Sequence, residues 1–120
     1  MKKRLLLIED NPQNRYLITF LLEKHGHEVV QAEEGAAGIQ LAGRIQPDLI
    51  MLDIQLPGMD GYEVARRLKA DSSTARIPIV AITSYAMTGD RERGLAAGCD
   101  GYIEKPIDPE TFVEEIERYL

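Results

Sequence analysis

Residues 49–63 read LIMLDIQLPGMDGYE, and the first five of them decide the fold. Leu49-Ile50-Met51-Leu52 is a continuous apolar run without polar alternation, which suits a strand buried on both faces. A buried helix segment would carry the same run; its shortness and the preceding Pro47 favour the strand. The run stops at Asp53. Pro57-Gly58 and Gly61 then mark a turn, and Tyr62 to Ala70 sets Val64, Ala65 and Leu68 on one helical stripe. One stretch therefore supplies a strand, a turn and a helix.

The same unit recurs on either side. Leu5-Leu6-Leu7-Ile8 is a second such run, Ile79-Val80-Ala81-Ile82 a third, with Val29-Val30 and Tyr102-Ile103 as shorter ones. Helical patterns follow each. Asn14 to Lys24 carries Leu17, Phe20 and Leu21, widened by Ile18 and Leu22, with Asn11-Pro12 as a start and Gly26 as a left-handed stop. Ala36 to Arg44 repeats the pattern through Ala37, Ile39, Leu41 and Ala42. Thr88 to Ala97 is weaker because of Gly94, and Gly98 stops it. Pro109 to Leu120 forms the last helix, capped by Asp108, with Phe112, Val113, Ile116 and Leu120 inward. Strand then helix, five times, predicts a doubly wound α/β fold: a five-stranded parallel sheet flanked by five helices. One domain, residues 1–120, uses the whole sequence.

Composition limits what such a domain does. The chain has 120 residues, 44% of them hydrophobic and 28% charged, enough for one core. No apolar run is long enough to span a bilayer, and the basic start meets Glu9-Asp10 too soon for a signal peptide. A single cysteine excludes an internal disulfide and suits a cytoplasmic setting. Twenty acidic residues against 14 basic ones leave a net charge of -6, which argues against a nucleic-acid surface.

In a doubly wound sheet, ligands gather at the carboxyl ends of the strands. Here those ends carry Glu9-Asp10, Asp53, Thr83-Ser84 and Glu104-Lys105-Pro106. Carboxylates crowded together repel and raise one another's pKa, a penalty that a hard divalent cation removes. A lysine and a hydroxyl beside them are equipment for phosphoryl oxygens. The segment EDNPQN lacks the glycines of a phosphate-cradling loop, so nucleotide binding is disfavoured. Taken singly, each residue has a plainer reading. Asp53, Glu9 and Asp10 suit helix or turn caps, Thr83 and Ser84 are common strand ends, Lys105 suits a solvated surface, and Tyr102 suits core packing.

In order and spacing these pieces resemble the receiver (CheY-like) domain of bacterial two-component response regulators. The likeness covers essentially the whole chain and is nearest to single-domain regulators and hybrid-kinase receivers. It implies the flavodoxin-like strand order 2-1-3-4-5 and makes Asp53 the phosphoacceptor. Glu9 and Asp10 resemble the acidic pair that holds Mg2+ (or Mn2+ as a substitute) together with Asp53, and the backbone carbonyl of Gln55 resembles the third protein contribution. Thr83 and Lys105 resemble the hydroxyl and ammonium that meet the phosphoryl group. Tyr102 resembles the aromatic switch that follows Thr83, and Lys105-Pro106 the family's cis peptide; Pro57 and Gly58 are structural turn residues. Ile54-Gln55 and Tyr85-Ala86-Met87 occupy places expected to tune phosphoaspartate lifetime.

The partners so implied are a sensor histidine kinase or histidine phosphotransfer protein and a downstream protein target, with no nucleic acid and no membrane. The chain is then a monomer or a phosphorylation-dependent dimer. It catalyses its own phosphotransfer and autodephosphorylation without being a conventional enzyme. Two other classes stay open: a non-phosphorylated adaptor, and a metal-dependent phosphatase-like hydrolase. The second wants an acid or base two positions after Asp53, where Gln55 stands. Cys99 is expected to be inert, His25 and His27 to lie away from the acidic site, and Arg91-Glu92-Arg93 to be a solvated helix face. The same sequence suits a free-standing protein and the receiver of a hybrid kinase.

Overall fold

The computed structural model describes residues 2–84 and 88–120. Five strands alternate with five helices: β1 (Arg4–Ile8), α1 (Pro12–Lys24), β2 (Glu28–Ala32), α2 (Gly35–Ile45), β3 (Leu49–Asp53), α3 (Gly61–Ala70), β4 (Ile79–Thr83), α4 (Thr88–Ala96), β5 (Gly101–Glu104) and α5 (Phe112–Glu117). The strands form one sheet in the order β2-β1-β3-β4-β5, and every neighbouring pair is parallel.

The unbroken apolar runs have a simple cause. Successive strand residues face opposite sides, and both sides are covered. Leu6, Ile8, Ile50, Leu52, Ile79 and Ala81 pack with Val64, Ala65 and Leu68 of α3. Leu5, Leu7, Leu49, Met51, Val80 and Ile82 pack with Ile18 and Leu22 of α1 and with Phe112, Val113 and Ile116 of α5. Because β2 and β3 lie on opposite sides of β1, strand order reverses at the carboxyl ends of β1 and β3. That is where a crevice opens in such sheets.

Helix starts and stops largely follow the sequence. Asn11 caps α1, its Oδ1 accepting from the backbone N–H groups of Gln13 (2.8 Å) and Asn14 (3.1 Å). Gly26, at φ 89°, closes the helix as expected.

Four details differ. Phe20 lies on the outer face of α1, 51% exposed, where its ring stacks on that of Tyr16 at 6.2 Å. Two residues from both Ile18 and Leu22, it stands about 200° round the helix from each. In α2 Ala42 is buried as expected and Ala37, Ile39 and Leu41 pack half-buried against the core, but the buried face also runs through Gly35 and Gly38, which the apolar pattern passes over. A Cβ on Gly38 would lie 2.4 Å from Ile8 Cδ1, so the helix lies too close for a side chain there. Helix α5 begins at Phe112 and not at Pro109, because Asp108 caps a preceding turn. Its Oδ1 accepts from Glu110 N–H at 2.9 Å and its carbonyl from Phe112 N–H at 2.9 Å. Lastly, Arg93 is more than a solvated charge. Its guanidinium sits 4.2 Å from the Tyr62 ring centroid, a cation–π contact between α4 and α3.

Candidate functional site

Four of the five strand ends deliver the parts of the site. Leaving β1, the chain is held at Glu9, whose N–H donates to Ala32 O at 3.0 Å. The Glu9 side chain is fully buried while Asp10 is exposed at the mouth. Asp53 is the last residue of β3 and is buried; on the neighbouring β4 its register partner is Ile82, and Thr83, buried too, follows it at the strand end. Lys105 follows β5, with its N–H donating to Thr83 O at 2.7 Å. The Lys105-Pro106 bond is cis.

Glu9, Asp10 and Asp53 each present a carboxylate oxygen within 4.8 Å of the others. Lys105 Nζ stands 3.2 Å from Glu9 Oε1 and 3.4 Å from Asp53 Oδ2. One ammonium thus faces three acids, and the balance is unmet. Glu9 Oε1 is buried and accepts no hydrogen bond among the described residues. Burial, and then the adjoining Asp53 carboxylate, push the Glu9 carboxyl up to about 7, with the Asn11 N–H and Lys105 pulling the other way. A buried oxygen with no hydrogen bond among the described residues, facing the Lys105 ammonium, in an oxygen-only cluster with one exposed member that leaves room for waters, fits a magnesium ion.

Two backbone features shape the pocket floor. Asp53 Oδ1 accepts from Gln55 N–H at 3.0 Å. The β3–α3 loop turns through Pro57 and through Gly58 at φ 77°, a left-handed conformation that suits glycine. It then brings Gly61 against the strand end. A Cβ on Gly61 would lie 2.6 Å from Ile54 Cα and 2.8 Å from Asp53 O, and neither backbone atom yields cheaply. Gly61→Ala is therefore expected to lower the unfolding free energy by about 1–3 kcal/mol. Urea denaturation measures this, and an unchanged midpoint contradicts the close approach.

The sequence reading identified the acids, Thr83 and Lys105, and the structure brings them together. The contacts of Gln55, expected only as a carbonyl contributor and a tuning position, and the whole role of Arg15 were not in that reading. The Gln55 amide, expected to matter through its backbone carbonyl, donates from Nε2 to Thr83 Oγ1 in a short hydrogen bond. Its Oε1 accepts from Ser84 N–H (3.2 Å) and Ser84 Oγ (3.1 Å). Arg15, on the first turn of α1, reaches back to the carbonyls of Glu9 and Asp10. A basic residue five positions after an acidic pair is too common to stand out.

Tyr102 is half-buried on β5, packed against the α3 side of the core. Tyr85-Ala86-Met87 lie outside the described residues. His27, immediately before β2 and so at the opposite end of the sheet, accepts at Nδ1 from Lys3 N–H (3.3 Å). Its Nε2 therefore carries the proton and donates to Glu117 Oε2 (2.8 Å). Burial pushes the Cys99 thiol up to about 11, with Asp100 adding to the effect, so it stays protonated near neutrality. Among the described residues no helix is long and apolar enough to cross a membrane.

Comparison with known proteins agrees with this geometry. The family model described as the response regulator receiver domain matches residues 5–117. The polar-differentiation response regulator DivK of Brucella anthropi is 42% identical over 120 residues, covering all of this chain and 98% of that protein. The chemotaxis protein CheY4 of Vibrio cholerae superposes with a TM-score of 0.94 at 27% identity, each chain covered completely. The receiver domain of the sensor histidine kinase PA1611 from Pseudomonas aeruginosa has a TM-score of 0.90 at 34% identity, over 99% of this chain and 98% of its own. A magnesium ion is coordinated in its active site cleft.

Proposed function

As the chain belongs to the response regulator receiver domain family, which accepts phosphoryl groups in two-component signalling, we propose that Asp53 is its acceptor. Glu9, Asp10 and Asp53 hold a magnesium ion, joined by the Gln55 carbonyl, and manganese suits the same oxygen donors. The observation that carries this reading is the meeting of three carboxylates and one ammonium from three different strand ends.

The phosphoryl group comes from a phosphohistidine on a histidine kinase or phosphotransfer protein. An Asp53 carboxylate oxygen bonds to phosphorus as the bond from phosphorus to the imidazole nitrogen breaks in line. Lys105 is placed to meet the negative charge spread over the transferred oxygens, and the Thr83 hydroxyl to donate to one of them. Bound magnesium supplies neutralisation of the acid cluster and further charge stabilisation. Drawing Thr83 toward the phosphoryl group takes it from the Gln55 amide, and Tyr102, half-buried on the neighbouring strand, follows. The altered face of α4, β5 and α5 is what a downstream protein reads. Against the hydrolase alternative, the Gln55 side chain is engaged with Thr83 and Ser84 and offers no acid or base.

Incubation with acetyl phosphate, followed by intact-mass measurement, tests the reading. One phosphoryl mass is expected with magnesium and none with a chelator; no uptake with magnesium and a cognate kinase favours the adaptor.

The Glu9 environment adds a pH dependence. Magnesium needs the carboxylate form, so binding displaces the proton that Glu9 holds below about 7. Apparent magnesium affinity should be about tenfold weaker at pH 6 than at pH 8. The metal-free fold shows the opposite trend from this group. Between the ordinary 4.5 and about 7, folded Glu9 keeps a proton that the unfolded chain has lost, so its contribution to stability falls as pH rises through that window. Calorimetric titration at the two pH values checks the first trend, and equal affinities contradict it.

A further inference from the structure

We propose that Arg15 is a positioning residue for the metal site, clasping the Glu9-Asp10 backbone so that both carboxylates are aimed before the ion arrives. This rests on the reading of Glu9 and Asp10 as magnesium ligands. One guanidinium nitrogen, Nη1, donates to Glu9 O and to Asp10 O, each at 2.9 Å. The other, Nη2, stands 3.1 Å from Glu33 Oε1, and the Arg15 side chain is only 14% exposed. The planar fork is thereby fixed from both ends: by two successive carbonyls of the β1–α1 loop and by a carboxylate of the β2–α2 loop.

The Asp10 side chain makes the clasp consequential. Glu9 Oε2 accepts from Asn11 N–H at 3.2 Å, but no hydrogen bond or ion pair to the Asp10 carboxylate occurs among the described residues. Its direction is set by the backbone from which it projects, and Arg15 holds that backbone. Groups that orient metal ligands from behind typically carry 10- to 100-fold in metal affinity.

Charge and position predict opposite signs. A guanidinium beside a cation site repels the cation, so removing its charge alone should tighten magnesium binding. If Arg15 positions the ligands, Arg15→Gln should instead weaken it, by about 10- to 100-fold. Arg15→Lys, which keeps the charge but loses the fork, should lie between Arg15→Gln and the unsubstituted protein. Glu33→Gln leaves both carbonyl bonds in place and should stay within about threefold.

The experiment is calorimetric titration of magnesium into the unphosphorylated full chain for these four proteins and for Glu9→Gln, with thermal melts in chelator alongside. Weaker binding by folded Arg15→Gln, with Arg15→Lys intermediate, supports the proposal; should Arg15→Gln not fold, Arg15→Lys alone decides by the same comparison. Unchanged or tighter binding overturns it, even if the melting temperature falls. So does a Glu33→Gln loss as large as that of Arg15→Gln. Failure of the unsubstituted protein to bind magnesium, or binding indifferent to Glu9→Gln, instead overturns the site assignment itself.

Discussion

Asp53→Asn is expected to abolish phosphoryl uptake from acetyl phosphate, reducing it to the buffer background. An amide of the same size occupies the same place at the end of β3, and Gln55 N–H still finds an oxygen to donate to. What disappears is the nucleophile: a neutral amide oxygen forms no stable bond to phosphorus. Because the replacement conserves volume in a buried position, the fold should persist. The Asp53 carboxylate helps to hold the Glu9 carboxyl up to about 7, so the Glu9 value should come down in the variant. A side-chain carboxyl titration by NMR reads this shift, while intact mass reads the uptake. Uptake near the unsubstituted level in a folded Asp53→Asn protein means that another residue is the acceptor.

Lys105→Met should slow phosphorylation by roughly 10²- to 10³-fold while leaving magnesium binding intact or tighter. Its ammonium stands 3.2 Å from Glu9 Oε1 and 3.4 Å from Asp53 Oδ2, where it meets charge on both reactants and ligands. In the transition state that charge spreads onto the transferred oxygens, so the larger loss falls on rate. Without phosphate, the ammonium and the metal ion compete for the same carboxylates, and removing one favours the other. Methionine preserves much of the stem and its packing. Initial rates over a range of acetyl phosphate concentrations, set beside a magnesium titration, separate the effects. A rate within about threefold of the unsubstituted protein would remove Lys105 from the reacting centre.

How much of this was legible depends on what a sequence records. Strands β1, β3 and β4 could be read because burial on both faces leaves an unbroken apolar run, and α1 because Asn11 and Pro12 announce its start. The acids, Thr83 and Lys105 could be placed because each follows such a run, so the sheet alone brings them together. Proximity between backbones left no such trace. Gly35 and Gly38 make the close face of α2, yet an apolar-period reading passes over glycine and favours Ile39 and Leu41. Phe20 was drawn inward by its chemistry, though its angle on the helix turns it outward to stack on Tyr16. The Gln55 amide acts through hydrogen bonds to Thr83 and Ser84 on another strand end, and Arg15 through bonds to backbone carbonyls, which no residue type announces. Only the folded chain shows those partners.

The most direct test of the central claim is to locate the phosphoryl group. An acyl phosphate is reduced by borohydride to an alcohol, whereas phosphorylated histidine, serine and threonine are not. Peptide mapping after magnesium-dependent phosphorylation and reduction should find the altered residue at Asp53 and nowhere else, with none in the presence of chelator. A mark at any other carboxylate, or phosphate that survives borohydride on a hydroxyl or imidazole, contradicts Asp53 as the acceptor.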